Sequence, residues 1–497
     1  MSSPQSHEAN SRSHKRKPSK QASNSNQHSV PQKPVGKSSN GRDSPSSSAK
    51  ANSSSLITQM PILISGLAVL LACVYSAVKA TTHGTDVMVV ASTANASGQI
   101  QAIDRLDFNV FGQDGPFRQS SITEFFNPSN TTPPFFQVFD PRFLQILGPN
   151  PSIRIVASNP EFAFAHEAPI WLQETDEVTF ASNDGGALGM SDLDHNNQVA
   201  KISLKEVQEK IKAAGGGVKP VNVTVTKQLD LPETVQMTNG GTGPLNGSLL
   251  LINSGRGPLP PSIVLSDPNP PFTTTVLLDN FFGRQFNSLN DIKIHPTTKK
   301  LFFTDAPYGF ANQFRPPTLM PNQVYRFDPD TGSVRVVADG FNKSNGVAFS
   351  QDGKTAYVYV FFRFSPHIQG LTFKPLWYSR TDTGVNFGVF GLDQTAPATI
   401  YAFDVHPTSQ AFMNRRVFAY ADTGLPDGIQ LDTKGNVYSG CGDGVQVWDS
   451  DGTLLGKFFI GTTSANMVFA GQGRLVILGE TAVYLAEIAA SGFNLAH

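Results

Sequence analysis

The sequence predicts an all-β fold, a six-bladed β-propeller preceded by a disordered tail and one transmembrane helix, on three observations. Six stretches repeat one phrase: an Asn, Asp or Glu, a short apolar strand, a Gly/Asp/Lys turn, and a second apolar strand. Residues 1–55 contain almost no large apolar side chain. Leu56 to Val78 is a nearly unbroken apolar run.

The clearest copies of the phrase span 288–305, 344–360, 426–441 and 465–480, and weaker ones span 166–182 and 238–253. Alternating pairs such as Ile292/Ile294, Val347/Phe349 and Ile429/Leu431 fit the two-residue period of a strand, and turns such as Asp352-Gly353-Lys354 reverse the chain. Each copy therefore reads as a hairpin. Self-similar hairpins at this spacing indicate a propeller.

The organisation follows from composition. The Ser, Asn, Gln, Lys and Pro of residues 1–55 cannot bury enough surface to offset chain entropy, so this segment is expected as a disordered basic tail. Residues 56–78 are long enough to span a bilayer as a signal anchor. Basic residues such as Lys15, Arg16 and Lys17 precede the run, which places the tail in the cytosol and the propeller in the lumen or outside, a single-pass type II arrangement. That arrangement favours a membrane partner, and no nucleic acid is expected. Residues 79–150, rich in Ser, Thr, Asn and Pro, are assigned to a stalk and a partly ordered lead-in, and residues 151–497 to the propeller. Sequons at Asn95, Asn130, Asn222, Asn246 and Asn342 fall on the luminal side, while Asn52 also matches on the other side. The net charge of -1 averages two unlike halves and discriminates nothing. With Cys73 in the apolar run and Cys441 alone in the globular part, no disulfide forms within the propeller, and its stability must come from the sheet core.

Two local features refine the ring. The run at 152–158 is too short to be a blade, and the last copy lacks an outer strand, so the N-terminal run is expected to complete the last blade and close the ring. Between the first two copies, residues 203–217 read as a helix: Ser203 and Glu206 form a capping-box pattern, Leu204, Val207 and Ile211 share a face, and Gly215 to Gly217 end it.

Residues at equivalent positions of the innermost strands converge on the propeller axis. Those positions hold Glu167, Asn239, Asn290, Asn345, Asp427 and Asn466. Any one of them would serve as a turn residue, but oxygen ligands in all six copies form a set that suits a hard cation such as Ca²⁺. No G-x-S-x-G elbow, H-E-x-x-H or phosphate-cradling G-x-x-x-x-G-K-[ST] occurs, and Cys441 reads as buried rather than nucleophilic.

Four motifs in order carry a resemblance: Glu167-Ala168-Pro169-Ile170-Trp171, Asn290-Asp291, Asn345-Gly346 and Pro426-Asp427-Gly428. They resemble the E-G-P-x-W, N-D, N-G and P-D-G motifs of the SMP-30/gluconolactonase/LRE-like family of six-bladed, calcium-dependent lactonases. The likeness covers residues 140–487, and the stretch 143–171 is similar to fungal lactonohydrolases. The resemblance implies that Glu167, Asn345 and Asp427 are metal ligands and that Asn290 faces substrate or water. Asn239 and Asn466 join the substrate-binding set from the repeat alone. Ser288 stands where some family members carry Arg, and Ala168 replaces the usual Gly.

The function so implied is hydrolysis of a lactone of the sugar or aldonate type, with Ca²⁺, or Zn²⁺ or Mn²⁺ in its place, polarising the carbonyl and Asp427 orienting or deprotonating the attacking water. Two alternatives stay open: a paraoxonase-like or strictosidine-synthase-like propeller enzyme, and a non-catalytic membrane-anchored binding module whose oxygen ring is structural. His166 is a candidate for the mouth of the site, and Asp305, Tyr308 and Phe310 for its rim.

Overall fold

The computed structural model describes residues 98–186, 188–225, 229–341, 343–361 and 397–493. The expected tail, the apolar run 56–78 and the first part of the lead-in lie outside these residues. Among the described residues, no helix is long and apolar enough to cross a membrane.

Each copy of the repeated phrase folds as an antiparallel hairpin whose first strand is the innermost of a blade. The six inner strands are Glu167–Leu172, Thr238–Leu245, Leu289–Ile294, Lys343–Phe349, Ile429–Leu431 and Met467–Phe469. Blade one adds Glu177–Ala181 and Val199–Ser203, and blade two adds Ser248–Asn253, Ser262–Ser266 and Thr274–Leu278. Blades three and four are four-stranded meanders ending at Ser333–Phe341 and Phe412–Tyr420. Six sheets around one axis make this the expected six-bladed propeller.

Blade six closes the ring as the sequence predicts. Its three C-terminal strands are completed by Ser152–Ser158, which pairs antiparallel with Ala482–Glu487 from Ser158↔Ala482 to Ser152↔Glu487. Arg154 reinforces this seam by donating to Glu487 Oε2 at 2.7 Å. The seam thus joins residues more than three hundred apart in the chain, and it covers the edge that Ala482–Glu487 would otherwise expose.

Residues 98–150 differ from a stalk. Phe135–Val138 pairs antiparallel with Leu454–Phe459, and Ile100–Ala102 pairs parallel with Phe135–Val138, which widens blade five to six strands. The physical reason lies in the isolated aromatic residues of the segment: Phe135, Phe136 and Phe143 are fully buried, and Phe135 stacks on Phe459 with ring centroids 4.6 Å apart. Large aromatics spaced through a polar segment are docking points, each burying enough surface to hold the chain against the sheet.

The helix between the first two copies runs Leu204–Ala213, with Ser203 Oγ accepting from the Glu206 N–H at 3.3 Å. Glu206 does not reach back to complete a capping box; its carboxylate accepts from the Thr224 N–H at 3.1 Å instead. Leu204, Val207 and Ile211 pack over Val178, Phe180 and Ile202 of blade one together with Val156 of the closing strand. Blade one has three strands, and this helix covers its flank.

Candidate active site

The site is built where the inner strands begin. Ladder pairing breaks register between Glu167 and Ile170, Thr238 and Gly240, Leu289 and Ile292, and Ser344 and Val347. A bulge bends its strand and re-aims a side chain. Here the irregularities sit at Glu167, Asn239, Asn290 and Asn345, the residues that the repeat marks.

The glycines after Asn239, Asn345 and Asp427 serve close approach rather than a turn. A Cβ on Gly240 would meet Asn290 O at 2.4 Å, and one on Gly346 would meet Asp427 O at 2.1 Å. On Gly428 it would lie 2.2 Å from the Asn466 side chain. Each glycine thus lets the next blade's inner strand approach the axis. Ala168, in the place of the family glycine, has φ 54°, a left-handed conformation that costs an L-residue roughly 1–2 kcal/mol.

Glu167, Asn239, Asn290, Asn345 and Asp427 line one cavity of about 410 Å³, together with His166, Asn183, Asp184, Tyr308, Asn312, Thr462, Thr463 and Glu480. Five of the six residues expected from the repeat are therefore gathered around one centre. Asn466 is not among the lining residues. It is fully buried behind the centre, where its amide donates to Glu167 Oε2 at 2.8 Å and its oxygen accepts the Met467 N–H at 2.8 Å. Both ends of its amide are occupied, so Asn466 positions Glu167 rather than meeting a substrate.

A chain of amides runs around the other side of the cavity. Asn290 Nδ2 donates to Asn239 Oδ1 at 2.7 Å, and Asn239 Nδ2 donates to Asp184 Oδ2 at 2.8 Å. Because a carboxylate only accepts, this order leaves Asn290 Oδ1 facing away from the chain, buried and without a hydrogen-bond partner. Asp427 Oδ1 is likewise buried and unpaired. Two such oxygens in one cavity call for an electropositive or hydrogen-donating occupant, since an unmet buried acceptor costs about 1–3 kcal/mol.

Electrostatics point the same way. Burial, together with the nearby Asp427 carboxylate, pushes the Glu167 carboxyl well above its ordinary range. Asp427 is pushed up to about 7 by burial and by Asp291 and Glu480, against the opposing pull of His166 and an Asn345 hydrogen bond. Asp184 rises to about 6, again through burial. Burial alone would lower His166, but Glu480, Glu167 and Asp427 outweigh it and raise the imidazole to about 10. Carboxylates so close together repel unless a positive charge lies between them.

These donors fit a hard cation: two carboxylates and two amide oxygens, with two of the oxygens unpaired. Among the described residues no group of three or more His, Cys, Asp and Glu is arranged to hold a metal, so a cation here would rely on the amides. Asp291, the partner of Asn290 in its motif, belongs to the scaffold: it accepts from Lys293 Nζ at 3.1 Å and from the Val347 N–H at 2.9 Å.

Of the sequence candidates for the mouth and rim, His166 and Tyr308 line the cavity, whereas Asp305 and Phe310 do not. Asp305 is buried beneath it, accepting the Asn287 and Ser288 N–H groups at 3.0 and 2.9 Å. Ser288 Oγ accepts the Gly309 N–H at 3.0 Å and so anchors the short helix Tyr308–Ala311, which presents Tyr308 to the site. Ser288 is itself almost fully buried, so the far larger side chain of an arginine there would have to displace its neighbours. Cys441 is buried, and burial raises its thiol well above the ordinary range, which keeps it protonated and inert.

Sequence reasoning missed Asn183, Asp184, Asn312 and Glu480. Glu480 Oε1 pairs with His166 Nδ1 at 2.7 Å, and its Oε2 accepts from Asn183 Nδ2 at 3.0 Å. Glu480 closes the sixth copy of the phrase, a position the inner-strand argument did not weigh. Asp184 and Asn312 come from connections, which the repeat does not number.

Comparison with known proteins agrees with this architecture. The SMP-30/Gluconolactonase/LRE-like region profile matches residues 166–360 and 390–478. Lactonohydrolase oryL of Aspergillus oryzae is 29% identical over 343 residues, which span 66% of this chain and 68% of that protein. A gluconolactonase of Zymomonas mobilis is 25% identical over 350 residues, 69% of this chain and 83% of that protein. Among solved structures, a gluconolactonase of Xanthomonas campestris superposes with a TM-score of 0.50 at 24% identity, covering 71% of this chain and 94% of that chain, and shares the fold. With its blades, motifs and matched residues in accord, the chain belongs to the SMP-30/gluconolactonase/LRE-like family.

Proposed function

We propose that this protein hydrolyses a lactone in the axial cavity, with a divalent cation, Ca²⁺ in the first place, held by Glu167, Asn345 and Asp427. One observation carries the reading: side chains from five blades meet in one cavity that holds two buried, unpaired oxygens, Asn290 Oδ1 and Asp427 Oδ1. The lactone-hydrolysing relatives support the substrate class.

The chemistry a bound cation supplies at such a site is polarisation of the substrate carbonyl. The chain's own residues supply the rest. Asp427 takes the proton of the attacking water through its unpaired oxygen and returns it to the ring oxygen as the carbonyl carbon–oxygen bond to the ring breaks. Asn290 orients the water or the substrate through its free carbonyl oxygen. Asn466 holds Glu167 in place, and Tyr308 forms part of the wall.

The test is a pH-stat assay of the purified full-length protein against a panel of aldonolactones and simple aryl esters, with Ca²⁺, Zn²⁺ and Mn²⁺ supplied in turn. Opening of aldonolactones above the spontaneous rate is expected. Hydrolysis confined to aryl esters would instead favour a paraoxonase-like activity, and no hydrolysis of either would leave a binding module.

The proposal extends to placement: residues 56–78 anchor the chain, with the propeller luminal or extracellular. In support, the sequon residues Asn130, Asn222 and Asn246 are exposed. Protection of the propeller from protease in sealed microsomes, lost on adding detergent, is the expected result. Cleavage of the propeller in intact microsomes would contradict it.

A further inference from the structure

The two carboxylates of the cavity that the proposed cation does not need, Asp184 and Glu480, set the charge of the space left for substrate. Asp184 is held by Asn239, and Glu480 by His166 and Asn183. Glu480 is the first residue of the two-residue turn between Arg474–Gly479 and Ala482–Glu487, and its φ of 62° is the positive value such a hairpin turn uses. Four carboxylates, Glu167, Asp184, Asp427 and Glu480, line the cavity, and among the described residues no Lys or Arg does. Ser288, where some family members carry Arg, is buried against the Tyr308–Ala311 helix and out of the cavity.

A divalent cation balances Glu167 and Asp427. Asp184 and Glu480 remain, against at most one positive charge on His166, so the loaded cavity is net negative. The neutral groups around them, the amide of Asn312 and the hydroxyls of Thr462 and Thr463, suit hydroxyl groups.

We infer that Asp184 and Glu480 are specificity-determining residues that select neutral, hydroxyl-bearing lactones and exclude lactones carrying a carboxylate or phosphate. The inference rests on the lactone reading of the cavity and adds a charge filter to it. A like charge about 6 Å away at an effective dielectric constant of about 20 disfavours binding by roughly 100-fold.

The experiment measures kcat/KM of the full-length protein, with Ca²⁺, for two stable probes. One is galactono-1,4-lactone, with neutral substituents; the other is glucaro-1,4-lactone, with a carboxylate. The expected preference for the neutral probe is at least about 30-fold and is carried by KM, since binding rather than the reacting bond is affected. In Asp184→Asn, where the amide oxygen still accepts from Asn239, the preference narrows by at least about threefold, and Glu480→Gln gives an independent second measure. Comparable kcat/KM for the two probes in the wild type overturns the charge filter while leaving lactone hydrolysis standing. An undiminished preference in both variants overturns the assignment to these residues. No opening of either probe overturns the lactone reading, and the filter with it.

Discussion

At the scale of single residues, the cavity couples acidity to cation binding. Glu167 and Asp427 are both pushed above the ordinary carboxylate range, Asp427 to about 7, so both take up protons as pH falls, and a protonated carboxyl no longer ligates. Apparent Ca²⁺ affinity is therefore expected to weaken as pH drops below about 7, which calorimetric titrations between pH 5.5 and 8 would show; an affinity independent of pH would remove these carboxylates from the ligand set. Asp427→Asn is expected to lower kcat/KM by about 10²–10⁴-fold with an unchanged far-UV spectrum, the usual range for loss of a general base. Retained turnover in saturating calcium would exclude that role. Gly346→Ala tests the packing behind the same residue. Its new Cβ would lie 2.1 Å from Asp427 O, so the strand must shift, at about 1–3 kcal/mol and with a loss of activity. A variant as stable and active as the wild type would show that the close approach is not needed.

At the scale of elements, the repeated phrase revealed each inner hairpin because strand alternation and turn residues are local properties. It revealed Glu167, Asn239, Asn290, Asn345 and Asp427 because equivalent positions in a radial fold converge. It could not separate Asn466 from the others: one residue buried a layer deeper reads the same in sequence. Asp184 escaped because it lies in the connection after Glu177–Ala181. The lead-in was misjudged for a related reason, since Phe135, Phe136 and Phe143 have no period and their burial depends on a sheet formed by residues 429–459. The seam strand makes a sharper claim. Deleting residues 152–158 would expose the edge of Ala482–Glu487 and the apolar faces packed behind it, so the product is expected to aggregate in expression and sedimentation trials. A soluble, active deletion product would show that the ring closes without it.

At the scale of the whole molecule, six blades bring side chains from distant parts of the chain to one axis, and the glycines at 240, 346 and 428 allow the inner strands to crowd there. The fold class and the family were legible because they depend on many repeated positions. The charge of the cavity was not, because it depends on Asp184 and Glu480 together with the placement of Ser288 outside it. If side chains from separate blades hold a cation that hydrolysis needs, chelation must stop the reaction without unfolding the propeller. Lactone opening by the full-length protein is followed continuously while EDTA and then excess Ca²⁺ are added, with the folded state monitored by circular dichroism. Turnover is expected to stop with EDTA and to return with Ca²⁺ while the spectrum stays that of a folded β protein. Undiminished turnover after exhaustive chelation would show that hydrolysis needs no cation.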